Sequence, residues 1–412
     1  MVRQFRWPLL AQVLLSMGQV TLTLIGTTAL APERWGALAL VLSVHYVALA
    51  TLAGVSQPVL TWCAGDPAAA DAHRAAGLRL QLAAALPAAL TVSAVAQRLA
   101  LGWSAAALAV ALLGAAAWNA ARTTELASGR FRRAAAGDAA HLAVLALGAT
   151  ALAFGPSIGE RTRIVVVTGS LAVATWSAAA TLLLRHAPGT HVAVRTYLRT
   201  AGRDIPWMML DGFLVGCVTA AVVTMVGWTS GLVEAGAVRT STTLVAGPLQ
   251  MALVAVSPLL VARFRREADQ ARAGNRSDRR IDALRSLGSV TAAAAAIAVV
   301  AGTAAAVALP LLTTPGALLA DLRLAPAPAV LLLAVALWLA STTTAFMRYR
   351  RSWRELMALR LVTLGASLGV LVLTLTVLGT PVPAAIASTA VPWLVLPWLH
   401  AVLRWRPVAP TA

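Results

Sequence analysis

Of 412 residues, 59% are apolar and 12% charged, with a mean hydropathy of +0.79; a soluble domain carries roughly 45–50% apolar and about 25% charged residues, so the surplus must face lipid. The formal net charge of +18 rests on arginine alone among the strong bases. Those arginines cluster in short segments between apolar stretches, which excludes the continuous basic stripe of a nucleic-acid-binding protein.

The chain opens with Met1 to Arg6 and then an apolar run, Trp7–Leu30, too long for the ~7–15-residue core of a signal peptide and without a clear small-x-small cleavage site. It reads as a first spanning helix. A span needs about 20 predominantly apolar residues, and twelve stretches qualify: 7–30, 36–62, 77–96, 100–119, 135–155, 164–184, 205–228, 232–262, 286–309, 326–347, 356–378 and 382–403. Orientation checks the set, because cytoplasmic loops carry the excess of basic residues. With the N-terminus inside, the inner segments hold Arg3 and Arg6; Arg74 and Arg79; Arg122, Arg130, Arg132 and Arg133; and Arg185, Arg195, Arg199 and Arg203. They continue with eight arginines from Arg263 to Arg285, then Arg348, Arg350, Arg351, Arg354 and Arg360, and finally Arg404 and Arg406. Only Arg34, Arg98, Arg161, Arg163 and Arg323 fall outside. Both termini are thus expected in the cytoplasm of a multi-pass inner-membrane protein.

Polar side chains inside spans are costly, from ~2.5 kcal/mol upward for charges near the centre, and each is a functional candidate. Span one carries Gln12, Ser16, Gln19 and Thr23 on one helical face, facing either a hydrophilic cavity or another helix. His45 sits in the middle of span two, placed for protonation coupled to transport or for bonding a neighbour's backbone. Asp138 and His141 near the inner end of span five, and Glu234 near the outer end of span eight, are weaker candidates. Cys63 and Cys217 match neither zinc nor redox spacing and read as small buried hydrophobes. In span seven, Asp211 could accept a coupling proton, line a cavity or pair with Arg203 or another inner arginine. Beside it, Gly212-x-x-x-Gly216 is a close-packing pattern. Span eight carries Arg239, Thr243 and Gln250 on one face. Arg239 is the sharpest candidate: a guanidinium suits phosphate or another anion geometrically, against the alternatives of a structural ion pair or snorkelling to the surface. Gly247-Pro248 should kink this span.

Internal similarity recurs at offsets near 200. Gly36-Ala37 matches Gly236-Ala237, Pro58-Val59-Leu60 nearly matches Pro258-Leu259-Leu260, and Gly18-x-Val20-Thr21 matches Gly216-x-Val218-Thr219. Leu108-Ala109-Val110-Ala111-Leu112 returns as Leu333-Ala334-Val335-Ala336-Leu337, and Arg130-Phe131-Arg132-Arg133 as Arg348-Tyr349-Arg350-Arg351. Spans one, two and four therefore map onto seven, eight and ten. The expected architecture is all-α: an N-terminal six-helix bundle over 1–184, a cytoplasmic linker over 185–204, and a C-terminal six-helix bundle of equal orientation over 205–412. Parallel repeats of this kind are a transporter architecture, with the site between the halves. In the linker, Arg195, Arg199 and Arg203 recur every fourth residue, which suits either an amphipathic helix on anionic inner-leaflet lipids or a solvated basic segment.

The stretch Gly18–Leu60, with its turn Ala31-Pro32-Glu33-Arg34-Trp35-Gly36 and its ending Ser56-Gln57-Pro58, resembles the opening of polysaccharide and oligosaccharide-lipid flippases of the multidrug/oligosaccharidyl-lipid/polysaccharide (MOP) exporter superfamily. Glu234-Ala235-Gly236-Ala237-Val238-Arg239, running on to Gly247-Pro248, resembles the eighth helix of the same proteins. The resemblance implies a V-shaped pair of six-helix bundles that moves a lipid-linked glycan by alternating access, with glycan-assembly proteins as partners.

No P-loop, nucleotide fingerprint, paired metal-ligand motif or nucleophile elbow occurs. No enzyme activity, cofactor or resident metal is expected. A flippase for an anionic lipid-linked glycan is favoured by a cationic Arg239 and by a first span without acids. A multidrug/cation antiporter of the same superfamily would want buried carboxylates, for which Asp211 is the candidate. A membrane-embedded glycosyltransferase would need acids in an outer loop, where only Glu33, Glu160 and Asp321 are scattered; a non-transporting membrane partner of a glycan-assembly system stays open. A reporter enzyme fused after Arg406 is expected to act as cytoplasmic, and periplasmic activity would overturn the orientation.

Overall fold

The computed structural model describes residues 2–63, 66–154, 158–184, 192–246, 325–349 and 353–404, and these are helical with short connections. In chain order they form α1 (Val2–Ala29), α2 (Pro32–Trp62), α3 (Pro67–Arg98), α4 (Ser104–Ala127), α5 (Phe131–Phe154) and α6 (Glu160–Leu183). Then come α7 (Val194–Ala201), α8 (Ile205–Thr229), α9 (Leu232–Ser241), α10 (Ala327–Tyr349), α11 (Trp353–Val372) and α12 (Val382–Arg404). Eight of the described helices are long and apolar enough to cross a membrane. Helix starts follow local chemistry. Pro32 and Pro67 occupy first turns, where no amide is needed, and the Asp66 carboxylate caps α3 by accepting from the Ala69 amide at 3.0 Å. The sharp α8–α9 turn passes through Gly231 at φ +96°, a conformation that glycine alone adopts cheaply.

The chain forms two compact units, Met1–Thr243 and Leu244–Ala412. In the first, α1 packs on α5, α5 on α6, α6 on α4, and α4 on α3, with α2 set against α3 and α4. Its core is built from Leu38, Leu108, Leu112 and Leu145 among many alanines. The helices α8 and α9, which the internal repeat assigns to the second bundle, lie along α2 and so belong to this unit. Glycine makes that possible. A Cβ on Gly212 would sit 2.1 Å from the Ala50 carbonyl oxygen, one on Gly54 would sit 2.3 Å from the Met209 amide nitrogen, and one on Gly216 would sit 3.0 Å from the Val47 Cα. Gly212-x-x-x-Gly216 is therefore a seam of backbone contact, as the small-residue pattern anticipates.

In the second unit α10 and α11 both pack on α12, and Ser367 on α11 donates to the Thr389 carbonyl of α12 at 3.0 Å. Arg360 differs from its sequence reading as an inner-loop charge. It is 1% exposed, with its guanidinium carbon 5.4 Å from the Trp393 ring centroid, because α11 already begins at Trp353 and carries Arg360 inside the packed helices. The linker also takes shape. In α7, Tyr197 is buried and donates its hydroxyl to the Val55 carbonyl at 2.6 Å, while Arg195 and Arg199 stay exposed. Burial holds the Tyr197 phenol above its ordinary range, so it remains a donor at any physiological pH. α7 is thus an amphipathic helix pinned to the ends of α2 and α3.

Gly212→Leu forces a side chain into the Ala50 carbonyl and should cost about 1–3 kcal/mol or more, lowering the thermal midpoint in detergent. Gly365→Leu, whose Cβ meets nothing within 4 Å, should stay within about 0.5 kcal/mol of the parent. Equal midpoints for the two variants would contradict the α2–α8 seam.

Candidate functional site

The start of α2 and the start of α9 meet backbone to backbone. A Cβ on Gly36 would lie 1.9 Å from the Leu232 carbonyl oxygen, and one on Gly236 would lie 3.4 Å from the Gly36 Cα. Gly36 and Gly236, the positions that the sequence offset of 200 pairs, thus touch each other. Trp35 fills the remaining wedge. Its indole N–H donates to Thr240 Oγ1 at 3.0 Å and to the Gly236 carbonyl at 3.2 Å, while its ring lies against Gly26 of α1. One buried tryptophan thereby joins α1, α2 and α9.

This junction carries Arg239 of α9 over the face of Tyr46 in α2, with the guanidinium carbon 4.4 Å from the ring centroid. Arg239 is 8% exposed, its Nε has no hydrogen-bond partner, and no carboxylate among the described residues lies within ion-pair distance of it. A desolvated cation–π contact is worth about 2 kcal/mol, whereas taking a charge out of water costs several. The guanidinium is under-satisfied, and its fork of donors suits an anion. His45, beside Tyr46, is also buried, with Nδ1 unpartnered and Arg239 within electrostatic reach. Ser241 Oγ is a third buried polar atom without a partner nearby in sequence.

The remaining sequence candidates divide. Gln12, Ser16 and Thr23 are buried, Gln19 is half-buried, and Ser16 Oγ has no partner. Gln19 and Gly26 are seven residues apart and share a helical face, so the stripe lies on the side of α1 that meets Trp35. Gly18, on another face, meets His141 of α5. Thr243 is buried, and its hydroxyl donates to the Arg239 carbonyl at 3.1 Å, a bond within its own helix. Thr240 and Thr242 bond back in the same way to Gly236 and Val238. Such bonds bend helices, and α9 passes directly into a π turn over Thr242–Ala246. Gln250 and Pro248 lie outside the described residues. Asp211 is 2% exposed and engaged with its surroundings on α8. Burial and the nearby Asp66 carboxylate push the Cys63 thiol up, consistent with an inert packed sulfur.

A buried ionic network escapes the sequence reading. Arg74 of α3 pairs with Glu125 of α4 at 2.7 Å and donates to the Leu182 carbonyl of α6 at 2.6 Å. Arg130 pairs with Glu125 at 2.6 Å and with Asp71 of α3, whose hydrogen bond raises the arginine's pKa further above its ordinary range. Arg122 grips Asp138 of α5 through one nitrogen at 2.9 and 3.1 Å, and His141 stacks on Trp118 with centroids 4.5 Å apart. Asp138 and His141 therefore serve packing and pairing within the first unit. The signal was present as Asp71, Glu125 and Asp138 lying within reach of inner arginines, but α3 and α4 extend beyond the hydropathy windows that trimmed them. Breaking the network should be severe: Asp138→Asn leaves Arg122 buried and uncompensated, at about 3–5 kcal/mol. The paired change Arg122→Met with Asp138→Leu should recover most of the loss in a detergent melt, and a double variant as weak as the single would contradict this assignment.

Comparison with solved structures follows the same architecture. A eukaryotic MATE transporter superimposes with a TM-score of 0.67 at 15% identity, covering 98% of this chain and 95% of the other. The inward-facing form of a multidrug-resistance MATE transporter of the MOP superfamily gives 0.64 at 14% identity, over 95% of this chain and 93% of the other. A MOP superfamily transporter from Pyrococcus furiosus, described by a reversed polarity of its binding pocket that suggests a different function, gives 0.63 at 14% identity, over 97% and 95%. No protein-family profile and no curated protein sequence matches the chain. At these identities the likeness establishes the fold class: an all-α membrane protein, helical throughout its described residues, with a fold similar to that of the MATE transporters.

Proposed function

We propose that the protein is a transporter that carries an anionic, lipid-linked saccharide precursor across the membrane by alternating access. One observation carries the reading: a buried, under-satisfied Arg239 stands beside Tyr46 and His45, at a junction where Gly36 and Gly236 meet. A cationic drug would be repelled there, whereas a phosphate would complete the guanidinium's hydrogen bonding. α1 contains no acid to hold a coupling cation, and its polar stripe of Gln12, Ser16, Gln19 and Thr23 offers amides and hydroxyls suited to sugar. The Pyrococcus furiosus neighbour, whose reversed pocket polarity suggests a different function, supports a departure from the multidrug role on this fold.

The second reading is a multidrug/cation antiporter. It is favoured by the MATE neighbours and by Asp211, a buried carboxylate on α8. A non-transporting membrane partner of glycan assembly would share the fold and leave both assays silent.

Reconstituted vesicles separate these readings. With a fluorescent lipid-linked oligosaccharide diphosphate, the parent protein should speed translocation. Arg239→Ala should slow it about 10- to 100-fold, the loss of one or two charge-assisted hydrogen bonds, and Arg239→Lys should fall between. Unchanged translocation in Arg239→Ala would remove the anion site, and efflux of a lipophilic cation that is abolished by Asp211→Asn would install the antiporter instead.

A further inference from the structure

At the arginine-rich end of the first unit, the first turns of α1 and α5 leave an open groove of about 790 Å³. Its two halves differ in chemistry. The body is lined by Leu10 and Leu14 of α1 and by Ala135, Ala136 and Ala139 of α5. The mouth is lined by Trp7 and by the run Arg130 to Arg133. Arg132 is exposed, with its guanidinium carbon 5.0 Å from the Trp7 ring centroid, and Arg133 is exposed beside it. Neither belongs to an ion pair among the described residues; the nearby carboxylates of Asp71 and Glu125 are taken up by Arg130 and Arg74. The first turn of α5 contains no acid, so the positive end of its helix dipole adds to the potential at the mouth.

We infer that this groove binds an anionic glycerophospholipid of the arginine-rich leaflet. Its phosphate sits between Arg132, Arg133 and the positive end of α5, its glycerol lies beside Trp7, and one acyl chain starts down the apolar body. Three features select this occupant. The charge at the mouth is complementary to a phosphate and has no unengaged carboxylate to receive an ammonium, which favours an anionic over a zwitterionic headgroup. Trp7 is placed as aromatic residues are at a bilayer interface, with an apolar body and a polar edge. Leu10 to Leu14 and Ala135 to Ala139 each rise about 6 Å, enough for the first methylenes of a chain and of no use to a free anion. A lipid seated there fills the space between α1 and α5 at the end where they separate, while Gly18 against His141 closes them further along. The site is distinct from Arg239 and does not depend on the identity of the transported cargo.

Native mass spectrometry of the full-length protein, delipidated and titrated with phosphatidylglycerol or phosphatidylethanolamine, tests the assignment. Phosphatidylglycerol should be retained preferentially, and Arg132→Gln with Arg133→Gln should weaken its retention by at least about fivefold. Arg195→Gln with Arg199→Gln, equally exposed on α7 but away from the groove, should leave retention unchanged; an equal loss would show a diffuse surface-charge effect and overturn the site. Ala136→Leu keeps the arginines and fills the body, so it too should weaken retention, and undiminished retention would overturn the acyl-chain placement. A thermal shift produced by inorganic phosphate as large as that produced by the lipid would mean an anion site only.

Discussion

Much of the first unit hangs on the absence of a Cβ at Gly36. Its backbone rests against the Leu232 carbonyl at a distance that any side chain would forbid. That contact sets Trp35 between Gly26 and Gly236, and the indole N–H then fixes the register of α2 against α9 through Thr240. From this register follows the stacking of Arg239 on Tyr46. The seam between α2 and α8 repeats the device with Gly54, Gly212 and Gly216. In lipid, where there is no hydrophobic gain from pressing helices together, close backbone approach supplies the van der Waals contact that holds them.

Buried arginines in this protein come in two kinds. Arg74 and Arg122 each meet a carboxylate and, for Arg74, a carbonyl oxygen as well, so their charge is compensated within the fold. Among the described residues Arg239 meets Tyr46, through its ring face and a side-chain hydrogen bond, but no carboxylate, and its Nε is unpartnered. The first kind ties α3, α4, α5 and α6 together. The second kind has no carboxylate partner among the described residues and stands next to the Gly36–Gly236 contact, just before α9 loosens into a π turn, a geometry often found at functional sites. The two kinds share residue type and depth; the carboxylate distinguishes them.

Much of this was legible in the sequence. Hydropathy located the spans that the described residues cover, because a ~30 Å apolar slab imposes length rules that few residues escape; the expected span 286–309 and most of 232–262 lie outside those residues. The offset near 200 paired Gly36 with Gly236 before any contact was visible, and Gly212-x-x-x-Gly216 announced a close seam. Arg239 stood out as a charge inside a span. What remained hidden depends on helix ends and on partners distant in sequence. Asp71 and Glu125 lie in helical extensions that look like loops, and Arg360 was counted with the loop charges although Trp393 covers it. The groove between α1 and α5 could not be read either, since it is defined by the divergence of two helices and not by any motif.

The account turns on whether Arg239 receives the cargo's phosphate. The most direct measurement is an electron cryomicroscopy map of the protein in lipid nanodiscs loaded with a lipid-linked oligosaccharide diphosphate. Phosphate density within hydrogen-bonding distance of the Arg239 guanidinium, with Tyr46 displaced from its face or sharing it, is the predicted result. A headgroup bound elsewhere while Arg239 remains stacked on Tyr46 would contradict it.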